Sequence, residues 1–120
     1  MGLDTYASNT RDDICLTEEQ EKAFKEANIT LCGGMFSGSG GSFRGKIYIG
    51  IIYDVTGVGL FEDWIPPETV KQMYEKFMEK DLKELERLAE EHNRFPGVIV
   101  DLRKFFKVCA EHDLGLINWW

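Results

Sequence analysis

Arg44 and Lys46 close a stretch in which glycine occupies six of fourteen positions: Gly33-Gly34-Met35-Phe36-Ser37-Gly38-Ser39-Gly40-Gly41-Ser42-Phe43-Arg44-Gly45-Lys46. Glycine lets the backbone turn sharply and approach a ligand closely, and two cations follow. Those are the makings of an anion cradle, which would draw on Ser37, Gly38, Ser42, Arg44 and Lys46, with loop amides and Arg44 converging on one point. The competing reading is a tight loop in which Phe36 and Phe43 fold back onto the core and the glycines permit the bends.

Neither nucleotide motif fits this run. Gly40 through Lys46 has the glycine and lysine spacing of a P-loop, but Ile47 stands where Ser or Thr would hold magnesium, and no strand directly precedes it. Gly38 and Gly40 match a dinucleotide fingerprint, and Phe43 takes the place of its third glycine. Cys109 and His112 lie one helical turn apart with His92 upstream, yet no CxxC pair or HExxH accompanies them, so no metal site is expected. Cys109, His112 and Asp113 also carry the residue types of nucleophile, base and acid. The thiol, however, lies in an apolar stripe beside Phe105 and Phe106, where packing is the default. Asp12, Asp13, Glu62, Asp63 and Asp101 fall at helix starts or turns, where capping and solubility account for them. No catalytic group is identified, and no cofactor is expected.

With 120 residues, 43% of them apolar and 29% charged, the chain fits one domain with a real core. A formal charge of −7 disfavours nucleic acid and anionic membrane surfaces. No apolar run approaches bilayer-spanning length. Cys15, Cys32 and Cys109 are odd in number and scattered, and the opening residues do not resemble a signal peptide; both point to a reduced, cytoplasmic protein. Trp64 and the Trp119-Trp120 pair read as core packing first and self-association second.

The elements that must position these groups follow from periodicity and caps. The first sixteen residues read as lying across the surface of the core. Thr17 with Gln20 forms a capping box, predicting a helix over 18–27 with Asn28 as its stop. Ile29 to Cys32 reads as a short strand or extended entry to the glycine loop. Residues 46–56 satisfy two patterns: alternation of Ile47, Ile49, Ile51, Tyr53 and Val55 for a strand, or a helical face of Ile47, Ile51, Ile52 and Val55 ending at Gly57. Pro66-Pro67 opens the longest helix, 67–92, whose buried side includes Val70, Met73, Tyr74, Phe77, Met78, Leu82, Leu85, Leu88 and Ala89. A break over 93–97 precedes a final helix at 99–113, with Gly115 as its stop. Residues 116–120 read as a closing strand or packed tail.

The strings Gly34-Met35-Phe36-Ser37-Gly38, Ser42-Phe43-Arg44-Gly45-Lys46, Trp64-Ile65-Pro66-Pro67-Glu68 and Gly115-Leu116-Ile117-Asn118-Trp119-Trp120 are distinctive. On them the chain resembles small uncharacterised prokaryotic proteins that open Met-Gly-Leu-Asp, a group with no assigned activity. That resemblance implies no catalytic residues and favours a helix over 46–56. The expected fold is α+β, mainly α: a single compact domain of three to four helices with short β segments and a glycine-rich loop, packed around Phe24, Tyr74, Phe77, Leu85, Phe105 and Phe106. The leading functional expectation is a non-enzymatic binding or protein-interaction module, as a homodimer or with another protein. The alternative is a small-anion or phosphometabolite site, enzymatic or not, on the loop 33–46.

Overall fold

Local signals at Thr17 are realised as the capping chemistry requires. In the computed structural model, which describes residues 3–12, 16–27, 29 and 42–119 but not the Ile47 and Pro96 side chains, Thr17 Oγ1 accepts from the Gln20 N–H at 3.2 Å. Gln20 Oε1 accepts in turn from the Thr17 N–H at 2.9 Å, and helix α1 runs Glu18–Glu26. The expectations for residues 30–41, which comprise the strand leading to Cys32, the Phe36 ring and most of the glycine loop, lie outside the described residues, as do Asn28, Cys15 and Trp120.

Residues 46–56 resolve as a helix, α2 (Gly45–Thr56). Tyr48, Ile51, Ile52, Val55 and Thr56 are buried, a spacing that only a helical stripe satisfies, whereas the strand pattern would have turned Tyr53 inward and it is 58% exposed. Gly57 ends α2 at φ 75°, donating its N–H to the Tyr53 carbonyl at 2.8 Å, a left-handed cap that costs glycine no Cβ clash.

The long helix expected over 67–92 is two helices, α3 (Pro67–Glu79) and α4 (Leu82–Glu91), with extended backbone at Lys80. A straight helix of that length would measure roughly 39 Å, more than the 35 Å longest extent of the molecule. Breaking at Lys80–Asp81 lets Val70, Met73 and Phe77 on α3 and Leu85 and Ala89 on α4 be buried together as both helices pack on the last one. Met78 and Leu82, expected on the buried side, consequently flank the break and are exposed. That last helix, α5 (Pro96–Glu111), starts earlier than expected because Pro96 takes the first helical position rather than breaking the chain. It stops without Gly115: Asp113 takes the left-handed conformation at φ 57°, and the Leu114 N–H closes onto the Cys109 carbonyl at 2.9 Å. Asn93 ends α4 the same way, at φ 59°, with the Arg94 N–H on the Ala89 carbonyl at 2.9 Å.

Among the described residues, four strands form one antiparallel sheet in the order β2-β1-β4-β3: β1 (Asp4–Ser8), β2 (Ser42–Arg44), β3 (Trp64–Ile65) and β4 (Gly115–Trp119). Residues 4–8 therefore do not lie across the surface, while 9–12 are exposed; β1 is an interior strand, paired on both edges. Its alternation decides the two faces. Leu3 and Ala7 join the core on the helix side with Phe43, Ile65 and Leu116, while Asp4, Tyr6 and Ser8 point to the other face. Helix α5 packs against α1, α3 and α4, and α2 against α3, α4 and β1. Phe24, Phe77, Leu85, Phe105 and Phe106 are buried as expected, with Tyr74 partly so. The protein is thus α+β and mainly α, with five helices among the described residues.

One polar link crosses the core side of the sheet. Buried Thr5 donates its hydroxyl to Asn118 Oδ1 at 2.7 Å, and Gly45 lies directly over it. A Cβ at Gly45 would stand 2.6 Å from Thr5 Oγ1 and 3.0 Å from Leu3 Cγ. Gly45→Ala is therefore expected to cost about 2 kcal/mol, the usual scale of overpacking, and to weaken the protection of the sheet amides. Urea unfolding with hydrogen exchange measures both; a change below about 0.5 kcal/mol would show that Thr5 yields freely.

Candidate functional site

Of the residues expected to cradle an anion, Ser42, Arg44 and Lys46 are described. Ser37 and Gly38 lie outside the described residues. Ser42 is buried in β2, opposite Tyr6. Arg44 ends β2 with its side chain half exposed and its Nε 3.8 Å from Asp4 Oδ1, a charge contact too long for a hydrogen bond. Lys46 is exposed in the first turn of α2, but its backbone N–H is directed to the Leu3 carbonyl at 3.3 Å. Phe43, in contrast, is completely buried, edge-on to Phe105 at 4.9 Å and to Tyr48 at 5.8 Å. The described end of the glycine run is held by this ring and by pairing with β1.

A different part of the chain builds a concavity. Arg11, Phe61, Glu62, Asp63 and Trp64 line an open cleft of about 410 Å³ beside β3. The loop that supplies four of these residues is anchored from beneath by Asn118. Its Nδ2 donates to the Glu62 carbonyl at 2.8 Å and its backbone N–H to the Asp63 carbonyl at 3.0 Å, while its Oδ1 accepts from Thr5. Asn118 is itself buried, so losing any of these bonds would strand a polar group. Trp64 gains its place from Gly115. The indole lies so close that a Cβ on Gly115 would come 2.7 Å from Cζ2 and 2.6 Å from the Ile65 carbonyl oxygen. Phe61, 70% exposed, extends the aromatic surface toward Tyr53, both rings flanking Gly59. Among the described residues, Arg11, Glu62 and Asp63 have no ion-pair partner. Among its described lining residues, one cation and two carboxylates give the cleft a net negative charge.

Other chemistry-bearing groups fall elsewhere. Cys109 is wholly buried in the core, and burial pushes its thiol pKa far up, so it stays protonated and unreactive. Asp113 pairs with Lys71 at 2.7 Å on the surface. His92, at the end of α4, places Nε2 2.5 Å from Asp54 Oδ2 on α2. Gly50, one turn before Asp54, leaves room for the imidazole, since a Cβ there would sit 3.0 Å from His92 Cε1. This pair ties two helices. Among the described residues no three His, Cys, Asp or Glu side chains are placed to hold a metal ion, and no helix is long and apolar enough to cross a membrane.

Trp119, expected as core packing, is instead 53% exposed on the sheet face opposite the helices, on the same rung as Asp4 and Arg44. Sequence reasoning did single out Trp64, Glu62 and Asp63, but as unrelated core and turn residues. The signal joining them is the order aromatic-acid-acid-aromatic (Phe61 to Trp64) wedged between Gly59 and Pro66, and it needs Asn118 and Arg11 from distant positions to become a site. Comparison of the whole chain with protein-family models, with curated proteins and with solved structures finds no match.

Proposed function

We propose that this protein is a binding module that docks a segment of another protein, and that its contact surface is the cleft formed by Arg11 and residues 61–64. One observation carries the reading. The turn and strand start bearing exposed Phe61 and half-buried Trp64 are pinned to the sheet by a buried asparagine that uses both its amide and its backbone N–H to hold two successive carbonyls. A loop that served only as a connection has no need of such anchorage; a preformed contact surface does, because rigidity lowers the ordering cost of binding. Accessible aromatic rings beside charged groups are also the residue types that dominate interface energetics.

The test is a fragment titration followed by amide chemical-shift mapping. Aromatic and amphipathic fragments at millimolar concentration are expected to shift residues 11 and 61–64, and Phe61→Ala with Trp64→Ala is expected to reduce the affinity about ten-fold or more, the scale of losing an aromatic anchor. Fragments that gather elsewhere would overturn the reading. Anionic fragments that shift only residues 42–46 would favour the anion site on Arg44 and Lys46 instead.

A further inference from the structure

From the charge and edge geometry of the same cleft, we infer that its occupant is an extended, basic segment of a partner protein, bound alongside β3 with its lysine or arginine side chains on Glu62, Asp63 and the Phe61 and Trp64 rings. The inference rests on the binding-module reading and adds the chemistry of the partner.

Three observations converge. First, β3 is an edge strand of the sheet and, among the described residues, pairs only with β4. The Asn118 N–H on the Asp63 carbonyl continues that pairing one residue upstream, so residues 63–65 run beside β4 with no described strand on their other edge. An unpaired edge is a template for strand addition, in which backbone hydrogen bonds supply affinity and alternate side chains supply selectivity. Pro66 ends the template, which limits addition to a short segment.

Second, Glu62 and Asp63 are exposed, adjacent and without an ion pair among the described residues, in a chain of net charge −7. An incoming cation satisfies both without displacing a partner among the described residues, and the field of the whole molecule favours its approach. Third, those carboxylates line the cleft together with two aromatic side chains. A guanidinium or ammonium between a carboxylate and a ring face gains both ion pairing and cation–π attraction. Arg11, on the wall contributed by the connection between β1 and α1, offers guanidinium donors to the segment's carbonyl oxygens. An acidic segment would meet Arg11 alone against two carboxylates.

The probe is an acetylated, amidated heptapeptide alternating valine with lysine, read by tryptophan fluorescence and amide shifts. Saturable binding is expected with shifts at residues 61–65. The Glu62→Gln/Asp63→Asn variant should weaken it about ten-fold, as expected for loss of close charge pairs. The Glu75→Gln/Glu90→Gln variant, with the same charge change on α3 and α4, should leave it unchanged. Equal weakening by both variants would reduce the effect to diffuse attraction and overturn the inference. So would equal binding of the valine–glutamate peptide, or dimerisation of the protein through this cleft in its place. Fragments that bind the cleft while the lysine peptide does not would sink the inference and leave the binding-module reading standing; failure of both would sink both.

Discussion

Replacing Phe105 with alanine is expected to remove about 3–5 kcal/mol of stability, a large part of the roughly 5–15 kcal/mol that holds a typical domain together. Phe105 is fully buried and is the ring on which the core turns. It meets Phe24 of α1 at 5.2 Å, Phe43 of β2 at 4.9 Å and its helical neighbour Phe106 at 6.0 Å. Truncation would therefore lose transfer free energy and open a cavity among three elements that cannot all collapse into it, because two are held by the capping box and by strand pairing. The melting temperature should fall by about 15 °C. Phe105→Leu, which keeps most of the volume, should recover more than half of the loss. Denaturant unfolding measures both variants, and a loss under about 1 kcal/mol for the alanine variant would mean that the site repacks.

Gly115→Ala is expected to cost about 3 kcal/mol, at the upper end of overpacking by one methyl group. The decisive neighbour is backbone: the Ile65 carbonyl oxygen would lie 2.6 Å from the new Cβ and cannot rotate away. The Trp64 indole would also be lifted from its seat, so the same change should shift the tryptophan emission and reduce binding at the cleft. Gly97→Ala is the matched control. No described atom lies within 4 Å of a Cβ there, and the position is in the first turn of α5. Alanine at that helical position should be neutral or stabilise by up to about 1 kcal/mol. Thermal unfolding of the two variants side by side checks the contrast, and equal behaviour would show that the packing at Gly115 is slack.

The exposed tryptophan at the end of the sheet is less well placed for the proposed docking than the cleft. Trp119 is exposed on a sheet face where Asp4, Tyr6, Ser8 and Ser42 are buried, so it stands at a margin of that face rather than at the centre of an open patch. The cleft near Trp64 is better formed, since its backbone is anchored and its carboxylates have no ion-pair partner among the described residues.

Local chemistry was legible along the chain. The Thr17–Gln20 capping box, the proline start of α3 and the stop at Gly57 each depend on residues within a few positions of one another, and the buried aromatic set follows from the helical stripes. The break at Lys80–Asp81 was not legible, because the apolar stripe continues in sequence and only packing of both halves on α5 turns the chain there. The same limit hid β1: Asp4-Thr5-Tyr6-Ala7-Ser8 is mostly polar by residue type, and it becomes an interior strand only because β2 and β4 arrive on either side to take its backbone hydrogen bonds.

The candidate site shows the division most clearly. Sequence by itself determined that Phe61 to Trp64 is an acidic and aromatic stretch closed by prolines. Only tertiary structure decided that Asn118, more than fifty residues away, would grip that turn, that Trp64 would lie on Gly115, and that Arg11 would face them. Short-range preferences come from torsion angles and neighbouring side chains, which the chain carries with it. A cleft comes from strands that meet across the fold, and register between distant strands is set by burial of the whole core rather than by any local string.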